Sequence, residues 1–291
     1  MVSSYPPPAR QRLPGPLDLP ATLEGYRRWG DDLIDRWDGT TWARSHPCPW
    51  AATVTGPDTV EVVAHGTVDV ASMIVQEPLD HVLAEDAVIR AVAGAHPGVR
   101  PVLQPDPLTG IIKSISAQQV NLRWACTTRR RLVTTFGRAH SVGATEVWSY
   151  DVDRLAAADP SQVRALQFTT KKSEFIVAAA RLAASGGLER ASFDPMADDE
   201  VVVRLVALHG VGRWTAEWFI ARTLGRPVVV AGDLGIRKAV GIAYFDGRMP
   251  SEAEVRAATT HWGPAAGVCQ QLLLHALSEG TLPVLVRSVT A

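Results

Sequence analysis

The sequence has few cysteines, no long apolar run and almost no net charge, and each shortage excludes a class of protein. The 291 residues contain three cysteines, Cys48, Cys126 and Cys269, which lie far apart. Their odd number and wide spacing exclude a disulfide scaffold and a zinc or iron–sulfur site. We therefore expect a reduced, cytoplasmic protein.

No apolar run approaches the ~18 residues that a membrane-spanning helix needs. Residues 1–20 carry prolines and arginines where a secretory signal would be apolar. We expect neither membrane insertion nor export. The formal net charge of −1 at pH 7 does not favour a nucleic-acid partner. Net charge averages over the whole surface, however, so the local distribution of charge decides that question.

The N-terminal third of the chain is rich in β-type sequence. Residues 1–16 are rich in proline and lack apolar periodicity, which predicts a disordered arm. Residues 17–82 contain short Thr- and Val-rich runs, two of which flank a Gly56-Pro57-Asp58 turn typical of a hairpin. These runs and the turn predict a small antiparallel-sheet domain with one helix near residues 23–37.

From residue 83 onward the pattern becomes helical. Apolar residues recur three or four apart, interrupted by Gly and Pro, almost to residue 288. The sequence therefore predicts an α+β protein, in which a mostly helical domain at 83–291 follows the small sheet domain. The domain boundary is expected at residues 78–85.

Positive charge is concentrated in two parts of the helical region. Residues 107–145 contain no Asp or Glu. In residues 204–238 the only acidic residues are Glu217 and Asp233. Each stretch is interpreted either as a solvated helix face or as a surface that faces phosphates. The cations are Lys113, Arg123, Arg129, Arg130, Arg131 and Arg138 in the first stretch, and Arg204, Arg213, Arg222, Arg226, Arg237 and Lys238 in the second.

Residues 201–224 predict two short helices joined by a glycine-containing turn. The spacing of Val202, Leu205 and Val206 indicates the buried face of the first helix. The turn is His209-Gly210-Val211-Gly212, and its glycines allow backbone N–H groups to face an anion such as a phosphodiester. Any interhelical turn can contain glycines, so the turn alone is a weak indication.

Asp233 follows the apolar run 227–231 and precedes a further helical pattern with Arg237 and Lys238. It could simply cap that helix. It could also be a carboxylate in a partly apolar site beside cations, able to stabilise an oxocarbenium ion and orient a water molecule. Both roles can hold at once.

Trp214 and Trp218 are one helical turn apart, which is compatible with two roles. Aromatic residues at this spacing often pack in a core. They can also form the faces of a pocket that stacks on a cationic, N-alkylated base, with an attraction of about 1–2 kcal/mol when desolvated.

These motifs occur together in an order that resembles the helix-hairpin-helix (HhH-GPD) DNA glycosylase superfamily. The resemblance covers about residues 83–277, and the branch most similar is 3-methyladenine DNA glycosylase II, which also carries a small N-terminal β domain. The segments that carry it are Leu-X-Gly-Val-Gly-X-Trp-Thr-Ala at 208–216, Gly-Asp-Leu-Gly-Ile-Arg-Lys-Ala at 232–239, and residues 97–101, 112–120 and 166–180.

The resemblance implies roles for individual residues. Asp233 becomes the catalytic carboxylate, Trp214 and Trp218 line the substrate pocket, and Gln119 enters the gap left by a flipped base. The phosphate clamp comprises Gly210, Val211, Gly212, Arg213 and Thr215. Main-chain carbonyls of Val206, Leu208 and Val211 match positions that hold a monovalent cation, and no other cofactor is expected.

Trp214 occupies the position at which bifunctional family members have a nucleophilic lysine, so the resemblance implies hydrolysis by water without strand cleavage. Four pocket or hairpin positions depart from the family pattern. His209 replaces a proline, Ala265 and Ala266 replace an aromatic and basic pair, and Leu274 replaces an aromatic residue.

The expected function is therefore a monofunctional DNA N-glycosylase of base excision repair. Its substrate is expected to be duplex DNA with an alkylated base, and we expect a monomer associated with the nucleoid. Two alternatives remain open: a non-catalytic DNA-binding protein with the same hairpin, and a glycosylase for an oxidised or deaminated base.

Overall fold

A five-stranded antiparallel sheet forms the N-terminal part of the protein. The computed structural model describes residues 7–290. The strands are β1 (Ala9–Arg12), β2 (Asp35–Trp37), β3 (Thr41–Arg44), β4 (Trp50–Gly56) and β5 (Thr59–Ala64), and one helix, α1 (Leu19–Arg28), lies between the first two. They pair in the order β1-β5-β4-β3-β2. The predicted hairpin around Gly56-Pro57-Asp58 is the β4–β5 pair.

The core of this sheet is built from alternating residues and tryptophans. In β5, Val60, Val62 and Ala64 are buried and Glu61 between them is exposed, as one-sided burial requires. Trp42 and Trp50 are fully buried and meet edge to face, with ring centroids 5.0 Å apart. These tryptophans therefore act in packing.

Part of the predicted N-terminal arm is ordered. Residues Ala9–Arg12 pair with β5, and Leu13 is buried at 3% exposure. The prediction of a disordered arm at 1–16 is therefore wrong for this stretch, because its backbone completes the edge of β5. Residues 1–6 lie outside the described residues.

The helix expected near residues 23–37 is also placed differently. Asp18 caps α1, which starts at Leu19 and ends at Arg28. Gly30 then adopts φ +110°, a conformation that favours glycine and ends the helix. The C-terminal end of the predicted helix is instead β2 (Asp35–Trp37), a strand of the sheet.

Helices dominate the rest of the chain, which confirms the α+β class. The second α-helix starts at Asp80, inside the predicted boundary region 78–85, and the boundary itself stays a prediction. The α-helices are α2 (Asp80–Glu85), α3 (Ala87–Ala95), α4 (Pro107–Ala117), α5 (Leu122–Phe136), α6 (Val152–Ala156), α7 (Pro160–Arg164), α8 (Thr170–Ala184), α9 (Asp198–Val206), α10 (Arg213–Phe219), α11 (Leu234–Tyr244), α12 (Glu252–Ala258), α13 (Ala266–Ser278) and α14 (Leu282–Thr290).

The expectation of helix almost throughout this region is wrong at one place. A hairpin of β6 (Gly137–Val142) and β7 (Thr145–Tyr150) follows α5. Its Val142 and Val147 pack against Ala43 and Ala51 of the large sheet. The hairpin therefore ties the helical part to the N-terminal sheet.

Buried ion pairs join the same two parts. Asp35 pairs with Arg44 and Lys113, and Asp32 pairs with Arg129 at 2.8 Å. The Asp35 carboxylate and the Arg44 side chain are at most 1% exposed. Lys113 and Arg129 therefore neutralise interior carboxylates, and the interpretation of the whole 107–145 stretch as a phosphate-facing surface is wrong for these two residues.

The helices enclose two hydrophobic cores. One includes Ile112 of α4, Ile176 of α8 and Phe219 of α10, and the other includes Ile236 of α11 and Leu272 of α13. Helix α10 thus contributes to the first core and α11 to the second. Within residues 7–290, no single helix has the length and apolarity to cross a bilayer, and one pair bent by 112°, Glu252–Ser278 with Leu282–Val289, meets those limits by length and composition alone.

Candidate active site

Helices α9 and α10 form the predicted hairpin, and the second continues into a π-helical turn at Ile220–Leu224. Residues Val201 and Leu205 form the buried face of α9. Val206 is 45% exposed, so its predicted place on that face is wrong. Val206 directly follows the buried Leu205, so it lies about 100° further around the helix, on the solvent side.

The turn between these helices is packed against α8. Gly210 has φ +84°, and a Cβ there would lie 2.0 Å from the ring of Phe175. His209 meets the same ring edge to face, with centroids 4.9 Å apart. Only glycine fits at position 210, and His209 supports the turn where the family pattern has proline.

Backbone donors remain available at this turn. The N–H of Val211 donates to the carbonyl of Leu208 at 3.0 Å, so it is committed within the turn. Within the described residues, the N–H groups of Gly210 and Gly212 have no acceptor among the backbone hydrogen bonds of turns and loops. These two N–H groups are free for an anion.

The remaining predicted clamp residues differ in exposure. The Arg213 side chain is 56% exposed and bonds to Glu217 at 2.8 Å. Thr215 is 1% exposed, and its hydroxyl accepts a hydrogen bond from Gln118 at 3.3 Å. The Thr215 side chain therefore lies on the inner face of α10, and the predicted DNA contact of this residue stays a prediction that concerns its main chain.

Asp233 is held by three N–H donors. It is the N-cap of α11, and its Oδ1 accepts the Ile236 N–H at 3.0 Å. Its Oδ2 accepts the indole N–H of Trp214 at 3.0 Å and that of Trp218 at 3.2 Å. The capping role and the pocket role thus occur together in one half-buried carboxylate.

No cation of residues 7–290 forms a salt bridge with Asp233. Arg237 instead donates to the carbonyl of Pro250 at 2.8 Å. The expectation of cations beside this carboxylate is therefore wrong for Arg237. The Asp233 carboxylate is therefore stabilised by N–H groups of neutral residues, and no positively charged side chain among residues 7–290 forms an ion pair with it.

Gly235 and Leu274 border the other carboxylate oxygen. A Cβ on Gly235 would lie 3.0 Å from Oδ1 of Asp233 and 3.1 Å from Cδ2 of Leu274. Glycine at this position therefore keeps the space beside Oδ1 clear. The departures at Ala265 and Ala266 are different, because both side chains are buried in the core beneath α13.

Trp214 and Trp218 lie on the half-buried face of α10, opposite its core-facing Ala216 and Phe219. Both tryptophans also contact Asp233 directly, so they do more than fill the core. The sequence placed Arg222, one turn further on, only among the cations of the second basic stretch and did not indicate its contact with Trp218. Its guanidinium lies 5.3 Å from the Trp218 ring centroid and bonds to Gln271, and burial lowers its pKa to about 10.

Gln119 lies in the exposed loop between α4 and α5 with φ +55°. Its neighbour Gln118 donates to the carbonyl of Gly210 at 3.4 Å as well as to Thr215. The loop of residues 118–121 between α4 and α5, here called the wedge loop, is therefore in contact with the hairpin turn. Sequence reasoning had not assigned this role to Gln118.

The second basic stretch is largely turned inward. Arg204 donates to the carbonyls of Ser192 and Gly187, and Arg226 pairs with Asp198 at 2.8 Å. The interpretation as a phosphate-facing surface is therefore wrong for these two arginines. Arg213 and Lys238 stay exposed.

The described residues contain no group of three or more His, Cys, Asp or Glu side chains that could hold a metal ion. The predicted cation ligands are main-chain carbonyls of Val206, Leu208 and Val211. Val206 is the last residue of α9, where carbonyls lack an intrahelical partner. The turn therefore offers oxygen ligands of a chemistry that suits a monovalent cation.

Comparisons with known proteins identify the family. Residues 112–265 match the family described as HhH-GPD superfamily base excision DNA repair protein. The DNA-3-methyladenine glycosylase of Bacillus subtilis (strain 168) is 27% identical over 187 residues, which cover 64% of this chain and 62% of that relative. The chain thus spans about three fifths of the length of the curated relatives that it matches first.

Two solved structures share the fold. The 3-methyladenine DNA glycosylase of Archaeoglobus fulgidus has a TM-score of 0.81 at 21% identity, covering 93% of this chain and 98% of that one. The Clostridium acetobutylicum 8-oxoguanine glycosylase/lyase in complex with double-stranded DNA has a TM-score of 0.74 at 14% identity, covering 95% and 99%. With more than half of its length matched by the family model, the chain belongs to the HhH-GPD superfamily of base excision DNA repair proteins.

Proposed function

We propose that this protein is a monofunctional DNA N-glycosylase that releases alkylated bases from duplex DNA and leaves an abasic site. The observation that carries the proposal is the Asp233 carboxylate, which is held by three neutral N–H donors and has no salt-bridge partner among the described residues. A fixed negative charge of this kind stabilises the positive charge that develops on the sugar as a glycosidic bond breaks.

The two carboxylate oxygens of Asp233 accept different numbers of hydrogen bonds, which gives them different roles in the proposal. Oδ2 accepts two indole N–H groups and has no further lone-pair direction free, whereas Oδ1 accepts one N–H. The space beside Oδ1 is kept clear by Gly235. Oδ1 is therefore the oxygen that can orient an attacking water molecule.

DNA contact in this proposal uses the hairpin turn and the wedge loop. The free N–H groups of Gly210 and Gly212 face the phosphodiester backbone, with Arg213 beside them. Gln119, exposed on its loop, fills the space that a flipped base leaves. The N–H of Val211 and the side chain of Thr215 take no direct part.

Trp214 supports hydrolysis without strand cleavage. A lyase needs an amine that forms a Schiff base with the sugar, and an indole cannot do this. Trp214 instead donates its N–H to Asp233. The nucleophile proposed here is therefore water.

The pocket favours an alkylated, cationic base. The N–H edges of Trp214 and Trp218 lie against Asp233, so a positively charged purine that stacks on either ring is also close to a carboxylate. Leu274 contributes an aliphatic wall near Gly235, on the Oδ1 side of Asp233. This makes the pocket broader and less electron-rich than one with a third aromatic residue.

A monovalent cation at the carbonyls of Val206, Leu208 and Val211 is part of the proposal. It would stiffen the hairpin turn and add positive charge near the phosphates. No step of base release depends on it.

The test measures release of free base from methylated duplex DNA by the wild type and by Asp233→Asn. Abasic strands are revealed by alkali, with a parallel sample that receives none. We expect base release by the wild type only, and strand breaks only after alkali.

Two other results of this assay would contradict the proposal. Strand breaks without alkali would indicate lyase activity. A wild type that binds DNA in a salt-dependent way but releases no methylated base would point to an oxidised or deaminated base, or to a protein that binds without catalysis.

A further inference from the structure

Helix α8 holds the C-terminal end of α4 through one buried lysine. Lys172 is 9% exposed, and its Nζ donates to the carbonyls of Ser116 at 3.0 Å and Gln118 at 2.6 Å. These carbonyls lie at a helix C-terminus, where acceptors lack intrahelical partners and positive charge is favourable. Burial lowers the pKa of Lys172.

Lys172 has no salt bridge within the described part of the chain. A buried ammonium group without a carboxylate is costly, because burial disfavours the charged form. Its two bonds therefore fix one position in the backbone, the point at which α4 gives way to the loop of Gln119.

The same helix also supports the hairpin turn. Phe175 lies one turn after Lys172, and its ring fills the space next to Gly210. Gln118 completes the link, since its carbonyl accepts from Lys172 and its carboxamide donates to Gly210 and Thr215. The wedge loop and the hairpin turn are thus both seated on α8.

Gln119 itself has a strained backbone. Its φ of +55° is left-handed, which non-glycine residues adopt only where neighbouring contacts hold them. The preceding residue is the one fixed by Lys172. The exposed position of the Gln119 side chain therefore depends on the bonds made by Gln118 and Lys172.

We propose that Lys172 and Gln118 are positioning residues that fix Gln119 relative to the hairpin turn, so that a duplex held by its phosphates has Gln119 opposite the base to be extruded. This inference rests on the proposed function. Its consequence is specific: losing Lys172 weakens extrusion of a base that is stably paired, while backbone binding and catalysis on an unpaired base persist.

The experiment compares Lys172→Met, Gln118→Ala and the matched control Lys171→Met, which removes the same charge from the exposed neighbouring residue. Each is assayed on a methylated base in a perfect duplex and on the same base in an unpaired bubble. We expect a loss of about tenfold on the duplex and less than about twofold on the bubble, because the bubble removes the cost of unpairing. The control should stay within about twofold on both.

A double variant separates positioning from general damage. The double variant carries Lys172→Met and Gln119→Ala. If Lys172 acts through Gln119, the rate of the double variant on the duplex should differ from that of Gln119→Ala alone by less than about twofold. Equal losses on duplex and bubble, or fully additive losses in the double variant, would overturn the inference. Lys172→Arg and Gln118→Ala keep the test valid if Lys172→Met does not fold.

A second readout does not require base release. The fluorescence of 2-aminopurine placed opposite an abasic-site analogue reports unstacking when the protein binds at saturation. We expect a smaller increase for Lys172→Met than for Lys171→Met, and equal increases would contradict positioning. If the wild type releases no methylated base, the proposed function fails while this fluorescence comparison still decides the inference.

Discussion

The buried aspartates at the sheet interface and the aspartate at the start of α11 are held in opposite ways. Asp35 lies against Arg44 and Lys113, and Asp32 against Arg129. Asp233 is bound only by neutral N–H groups of two indoles and the backbone. At the interface the negative charge is cancelled by the fold, whereas at Asp233 it remains available to a ligand.

This contrast separates stability from activity. A carboxylate paired with buried cations cannot be removed without leaving those cations unpaired. A carboxylate that only accepts N–H bonds can be changed to an amide of the same shape without leaving a buried charge unpaired, although the amide nitrogen then faces at least one of the former donors. The two sites should therefore respond to substitution in opposite ways.

The largest expected effect is on activity at Asp233. Asp233→Asn should lower the rate of base release by a factor on the order of 10³ or more, because the charge that stabilises the sugar cation is gone. The free energy of unfolding should fall by no more than about 1–3 kcal/mol, because asparagine keeps the N-cap bond to Ile236 but turns its amide nitrogen toward the two indole N–H groups. Single-turnover base release and urea unfolding measure the two quantities. A large loss of stability would place Asp233 with the structural aspartates.

The next largest effect is on stability at Asp35. Asp35→Ala should lower the free energy of unfolding by about 3–5 kcal/mol, because Arg44 and Lys113 lose their buried partner. Urea unfolding measures this loss, and Asp58→Ala, at an exposed pair with Arg12, is a control that should cost little. A loss below about 1 kcal/mol would show that water replaces the missing carboxylate.

A smaller effect is expected from the indole donors. Trp214→Phe and Trp218→Phe each remove one N–H bond to Asp233 and keep an aromatic face. Each should reduce base release about tenfold, which is typical of one hydrogen bond to a charged group. Trp29→Phe, at a tryptophan that makes no contact with Asp233, is the matched control. An unchanged rate in both variants would mean that the tryptophans act only by stacking.

The smallest expected effect is a pH dependence that originates at Asp32. Burial raises the pKa of its carboxyl, but the charges of Arg129 and Lys113 outweigh this, so the pKa is lowered from its ordinary value of 3.8. The folded state then binds fewer protons than the unfolded state, so this contribution is present above pH 3.8 and is lost as the pH falls through the folded pKa.

Urea unfolding at pH 7, 5 and 3 would follow this loss. Asp32→Asn should be less stable than the wild type at pH 7, and its stability should decline less between pH 5 and pH 3. Parallel declines in the two proteins would show that other carboxylates cause the acid sensitivity.

The sequence predicted the elements whose pattern is periodic. Strand β5 alternates buried and exposed residues, and the hairpin combines helical spacing with a glycine turn. Strand β1 was not predicted, because Ala-Arg-Gln-Arg has no apolar face. The strand forms because its backbone pairs with the edge of β5, which is distant in sequence. Strand β6 was not predicted for a similar reason, since Gly-Arg-Ala-His-Ser-Val has a single large apolar residue and no alternating apolar pattern.

The site was predicted where a motif fixed the residue and missed where contacts are distant in sequence. Asp233 was identified from its place before α11, but the donation of two indoles 15 and 19 residues away depends on side-chain direction. The basic stretch was misinterpreted because Asp32 and Asp35, which neutralise two of its cations, lie 97 and 78 residues before Arg129 and Lys113. Sequence spacing alone does not reveal such pairs.

The pairing of β1 with β5 has a practical consequence for truncated forms of the protein. A chain that starts at Leu17 would keep every residue of the hairpin and of Asp233's surroundings, but it would leave the backbone of β5 without a partner. Exposed strand edges pair with other chains and promote aggregation. Residues Ala9–Leu13 should therefore be retained in any shortened version, because they cover the edge of β5 even though they lie outside the candidate site.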